Sequence, residues 1–61
     1  MPLVQIDMLE GRTLEQKRAL VTKVTEAIVE TTKCSAEVVT IIIREMPPMH
    51  LGKAGKLKSD Q

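Results

Sequence analysis

The sequence predicts an α/β fold. It is a short β-α-β unit with parallel strands plus a small C-terminal hairpin, completed by oligomerisation. Three observations predict it. An alternating apolar stretch opens the chain, a helical-period stripe follows a capping signature, and a run rich in β-branched residues lies beyond it. Strand, crossover helix and strand in that order form a right-handed unit with parallel strands. Sixty-one residues accommodate a single domain, 1–61. A chain of this size buries only about 60% of its unfolded surface, so a lone protomer is marginal. It has one cysteine and no Phe, Tyr or Trp, yet 43% of its residues are hydrophobic. Neither an intrachain disulfide nor large aromatic fillers can support the core. Burial of apolar surface between subunits is the expected substitute.

In "PLVQIDML", Val4, Ile6 and Met8 point one way and Leu3, Gln5 and Asp7 the other, which predicts a strand over 2–8. "EGR" is a turn in which Gly11 supplies backbone freedom. "TLEQ" reads as a capping box, Thr13 with Gln16, and Glu15 suits the first turn. Leu20, Val21, Val24, Ala27 and Ile28 then recur at helical period, predicting a helix over 14–32. "CSAE" is a short connection, with Ser35 as a cap for a single turn. Six of the eight residues 38–45 are β-branched, and they predict the second strand. That strand is apolar on both faces apart from Thr40, Arg44 and its last residue, Glu45. One helix covers one face, so the other is expected to meet another subunit. Pro47 and Pro48 stop the strand. Gly52 and Gly55 suit a small hairpin, and the polar tail "LKSDQ" is expected to fray.

Net charge is +1, from nine Lys and Arg against eight Asp and Glu. That is no footprint for nucleic acid, and without aromatics there is no platform for stacking bases. No apolar run approaches the roughly 20 residues of a membrane span. The polar "QIDMLEGR" interrupts any signal-peptide core. These features, with the free thiol of Cys34, place the protein in the cytoplasm. One His and one Cys are too few to suggest a zinc site.

Pro2 has two readings. It can simply start a strand. If Met1 is removed, it is also a secondary amine at the chain start. An α-amino group has an unperturbed pKa of about 7.7–8.0, and a prolyl nitrogen starts somewhat higher. An apolar pocket and a nearby arginine both disfavour its protonated form. Such an amine can take a proton from carbon or oxygen, and its ring fixes its direction.

The segment from Pro2 to Lys17, the run "IIIREM" at 41–46 and "HLGKAGK" at 50–56 together resemble the 4-oxalocrotonate tautomerase family, also called 2-hydroxymuconate tautomerases. The resemblance spans essentially the whole chain. It implies a β-α-β subunit in a hexamer, typically a trimer of dimers, acting without a cofactor on a small carboxylic acid. It places the general base on Pro2 and the carboxylate-binding arginine on Arg12, whose fork matches a carboxylate. Two positions depart. Thr40 stands where the family has a second active-site arginine, and Leu51 where it has an aromatic residue.

The expected activity is interconversion of enol and 2-oxo forms of small unsaturated acids, with Pro2 catalytic and Arg12, Thr40 and Leu51 substrate-binding. Two alternatives remain open. One is a weak or non-catalytic subunit of a mixed oligomer, favoured by Thr40. The other is a proline-dependent hydratase or dehalogenase acting on unsaturated acids. The bland readings of the other polar residues are preferred: a structural ion pair for Arg44 with Glu45 or a neighbour, a solvated Lys53, and a turn-ordering His50. Cys34 and the methionines are packing residues.

Overall fold

The computed structural model describes residues 2–61. Met1, whose removal the sequence reading requires, lies outside them. Strand β1 runs Leu3–Leu9, helix α1 Leu14–Thr32 and strand β2 Thr40–Met46. The hairpin is β3, Gly52–Lys53, with β4, Lys56–Leu57. β1 and β2 pair in parallel, from Leu3 opposite Thr40 to Leu9 opposite Met46. β3 and β4 pair antiparallel.

The helix forms where its sequence signals it. Thr13 is extended, its hydroxyl accepts from the Gln16 amide at 3.1 Å, and its own amide donates to Gln16 Oε1 at 2.8 Å. That reciprocal box satisfies two donors that the first turn cannot pair internally. At the other end Lys33 adopts φ 62, and its amide donates to the Val29 carbonyl at 3.1 Å.

Leu20, Val21, Val24 and Ile28 are half-buried, whereas Ala27 is exposed. The half-buried stripe takes in Thr25 and Val29 instead, and it extends to Lys17, one turn before Leu20. Opposite it lie Val4, Ile6, Met8, Ile41 and Ile43, all half-buried.

Three boundaries differ from the sequence reading. β1 is shifted by one residue, to Leu3–Leu9. Pro2 cannot donate to a ladder, and Leu9 finds a partner in Met46. β2 starts at Thr40, not at 38. The Val38 amide donates to the Ser35 carbonyl and the Val39 amide to that of Ala36, so a 3-10 turn over Ala36–Val38 claims residues whose β-branching favours a strand. Ser35 precedes that turn but makes no side-chain cap. The tail is not frayed: Lys58–Asp60 form another 3-10 turn, and the Lys58 amide donates to the Leu51 carbonyl at 2.8 Å.

The second sheet face is open, as the doubly apolar strand implied. Leu3 is 58% and Ile42 40% exposed, and no described residue is fully buried. The protomer exposes 4829 Å², against about 4,000 Å² for a typical folded monomer of 6.8 kDa. The excess of roughly 800–900 Å² is close to one side of a standard protein interface. The radius of gyration is 14.6 Å, where about 10.5 Å is usual for this chain length. This protomer does not close a core by itself.

The hairpin turns at Ala54 and Gly55, with φ 54 and φ 82. Two consecutive positive φ values are the signature of a type I′ turn, whose first position favours Asn. Ala there is strained, since an L side chain in the left-handed region costs about 1–2 kcal/mol. Ala54→Asn should therefore stabilise the protein by about 0.5–1 kcal/mol. Denaturant midpoints compared at one fixed protomer concentration measure this, and a lower midpoint would contradict the strained turn.

Candidate functional site

The parallel ladder sorts the candidate residues to opposite ends of the protomer. Pro2 precedes β1, is half-buried, and accepts a hydrogen bond from the Thr40 amide at 3.0 Å through its carbonyl. Thr40 begins β2 and is exposed, opposite Leu3 in register. Pro2 and Thr40 therefore share the edge where both strands start.

Arg12 lies beyond the other end of β1. The Glu10 amide donates to the Met46 carbonyl at 2.9 Å, so the chain leaves both strands side by side there. The six residue steps from Leu3 to Leu9 span about 20 Å. Pro2 and Arg12 of one protomer are too far apart to touch one small acid.

Leu51 is also remote from Pro2 along the chain path. It follows a 3-10 turn over Pro48–His50, on the segment that leaves the far end of β2. Its amide donates to the Pro48 carbonyl at 3.3 Å and its carbonyl accepts from Lys58. It is 36% exposed, with Met49 at 61% and Leu57 at 43%. The hairpin segment thus presents apolar side chains that its own protomer leaves open. His50 is exposed in the same 3-10 turn, where its amide donates to the Pro47 carbonyl at 2.9 Å.

A cavity of about 190 Å³ is lined by Met8, Arg12, Gln16, Lys17 and Leu20. Of its two cations, Lys17 pairs with Glu45. Arg12 is exposed and makes no ion pair among the described residues. The cavity thus presents one uncommitted guanidinium beside an apolar wall of Met8 and Leu20.

The sequence reading missed Gln16 and Lys17 as cavity residues, and the Lys17–Glu45 pair. The signal was present. Lys17 falls on the apolar stripe of α1, three residues before Leu20. Glu45 alternates with Ile41 and Ile43 on the helix-facing side of β2. A cation and an acid, each on an otherwise apolar face, are the residues that would pair when those faces meet.

Arg44 does form a structural ion pair, with Asp7 as the neighbour. Arg44 Nε lies 3.1 Å from Asp7 Oδ1 across the ladder, and Nη2 donates to Gln5 Oε1 at 3.4 Å. Thr40 and Arg44 are two pleats apart, roughly 13 Å. Arg44 is thereby tied to the open sheet face and does not replace a guanidinium rooted at Thr40. Among the described residues, no three His, Cys, Asp or Glu side chains gather as a metal site. No helix among them is long and apolar enough to cross a membrane.

Comparison with known proteins gives a consistent result. The tautomerase enzyme family matches residues 2–61. A 2-hydroxymuconate tautomerase of Bacillus subtilis is 57% identical over 60 residues, covering 98% of this chain and 97% of that one. The crystal structure of a homologue of 4-oxalocrotonate tautomerase superposes with a TM-score of 0.95 at 55% identity, covering 98% of each chain. A heterohexamer 4-oxalocrotonate tautomerase from Chloroflexus aurantiacus gives a TM-score of 0.93 at 35% identity, covering 98% of this chain and 97% of that one. The parallel β-α-β unit with its C-terminal hairpin is the fold these structures share with it. The chain belongs to the tautomerase family and is an isomerase of the 4-oxalocrotonate tautomerase type.

Proposed function

We propose that this tautomerase interconverts the enol and 2-oxo forms of small unsaturated carboxylic acids without a cofactor, in a cytoplasmic oligomer that is most simply a hexamer. The observation that carries the reading is that a strand of roughly 20 Å, Leu3–Leu9, separates Pro2 from Arg12 in one protomer. A working site combines Pro2 of one copy with Arg12 of another. The open sheet face and the outlying hairpin supply the surfaces on which copies meet, and the heterohexameric relative supports assembly of that order.

The chemistry needs only a movable proton. With Met1 removed, the neutral Pro2 amine accepts the proton of the enol hydroxyl. The oxygen lone pair forms the carbonyl, the double-bond electrons shift along the conjugated chain, and the ammonium returns the proton to carbon. Atoms and charge balance with no second reactant. Arg12 holds a carboxylate through charge-assisted hydrogen bonds, which fixes the chain over the amine. Leu51 and its apolar neighbours, brought from another copy, exclude water. That keeps the amine poorly solvated, an environment that favours its neutral form.

Thr40 supports a second reading, in which the chain is a weak or non-catalytic member of a mixed oligomer. A threonine beside Pro2 offers one neutral donor where an arginine would offer a charged fork. The test is activity of the purified chain alone. Turnover without any partner chain argues for the first reading, and its absence for the second.

Three outcomes are expected. Sedimentation at micromolar protomer concentration should show an oligomer, and Ile42→Glu should shift it towards monomer by placing a charge on the open face. A stable wild-type monomer would refute the assembly. Protein that retains Met1 should lose turnover of 2-hydroxymuconate, because Pro2 is then an amide. Equal rates with and without Met1 would exclude Pro2 as the base. Thr40→Arg should raise kcat/KM for a diacid over a monoacid by about 10- to 150-fold, because a charged hydrogen bond contributes roughly 1.5–3 kcal/mol. Equal gains on both acids would show that the new guanidinium does not reach the second carboxylate.

A further inference from the structure

Arg12 is held from both sides by its own backbone. On the N-terminal side the Glu10 amide is pinned to the Met46 carbonyl at 2.9 Å. Gly11 then takes φ +117, a conformation that L side chains rarely adopt. Thr13 follows at φ −75 and ψ 163, locked to Gln16 in both directions at 2.8 and 3.1 Å. The one residue between these fixed points is Arg12.

Two further observations bear on the box. Gln16 lines the same cavity as Arg12. The neighbouring cation there is engaged, Lys17 with Glu45, so the direction of the Arg12 side chain decides where an anion can sit. A guanidinium pairs best with a carboxylate when the two planes align. Rotation of the backbone at Thr13 would tilt that plane away.

We propose that Thr13 and Gln16 are positioning residues for substrate binding: their capping box aims Arg12 at the carboxylate, beyond its contribution to helix stability. The inference rests on the reading that Arg12 holds the substrate. It is separable from that reading, because the cap can be removed while the guanidinium stays. Losing the cap frees the backbone at Thr13 and misdirects the side chain. The loss then appears as weaker binding, while the proton transfer at Pro2 is untouched once substrate is seated.

The test uses the assembled enzyme with 2-hydroxymuconate as the probe. Thr13→Ala and Gln16→Ala are compared with wild type, with Arg12→Ala and with the double variants in the Arg12→Ala background. Sedimentation first establishes that each variant keeps the wild-type assembly. If Thr13→Ala does not assemble, Gln16→Ala, which keeps the Thr13 hydroxyl, carries the same comparison.

Each cap variant should raise KM about fivefold, as expected when a charged contact is misdirected and only partly lost, with kcat within about twofold. Thr13→Ser, which keeps the accepting hydroxyl, should restore most of the affinity. In the Arg12→Ala background the cap substitutions should change KM no further. The proposal is overturned if Arg12→Ala raises KM while both cap variants leave it unchanged. It is also overturned if the cap variants raise KM equally with and without Arg12. If Arg12→Ala itself leaves KM unchanged, the reading of Arg12 fails, and the positioning role falls with it.

Discussion

The parallel pairing of β1 with β2 governs nearly everything else in this protomer. Because the strands run the same way, both start at one edge and both end at the other, with Leu3 beside Thr40 and Leu9 beside Met46. The return requires a crossover, and α1 supplies it on one face. Among the described residues α1 is the one α-helix, and it covers one face only. Ile42 and Leu3 therefore remain open, and no described side chain is fully buried. The same polarity separates the Pro2 edge from the Arg12 edge by the length of the strand. In the proposed site, a constraint of packing and a constraint of catalysis thus have one origin, and an assembly that covers the open face would also bring Pro2 within reach of another copy's Arg12.

The polar groups on the open face fit this view. Asp7, Arg44 and Gln5 lie among Leu3 and Ile42, joined by contacts of 3.1 and 3.4 Å. In a monomer such a pair contributes little, since both side chains are more than half exposed. Pairing beforehand matters more if the face is later desolvated. An uncompensated charge in an interface is costly, whereas a neutralised pair can be buried with a modest penalty. A face built only of Leu and Ile would bury more apolar area but would accept many registers. A fixed charged pair restricts the orientations in which a second copy can sit.

Much of this was legible in the sequence because local rules and tertiary demands agreed. The helix over 14–32 follows from the capping box and the stripe, and the structure reproduces both ends. The hairpin follows from its glycines, although Ala54 carries a positive φ that composition does not reveal. Where local turns competed with propensity, the reading slipped. Val38 and Val39 are β-branched, yet their amides are taken by Ser35 and Ala36, because the chain must turn after α1 before it can enter the sheet. The tail looked polar enough to fray, but one backbone bond from Lys58 to Leu51 ties it back. Long-range pairings such as Lys17 with Glu45 were visible only as anomalies of pattern. Neither residue names its partner until the helix is laid on the sheet.

The site residues were the least derivable from local rules, and the geometry explains why. A proline at the start of a strand and an arginine before a helix cap are ordinary features, each satisfied by a local role. Their significance depends on a relation between protomers that no single chain contains. The roughly 20 Å between the strand edges makes that relation necessary for any site that uses both residues. Thr40 then takes on a definite meaning. It sits on the Pro2 edge, bonded to the Pro2 carbonyl at 3.0 Å through its amide. With a threonine instead, position 40 contributes no charge to that edge. In the proposed site, anchoring of the substrate then falls to another copy's Arg12, and the precision with which that arginine is aimed matters more.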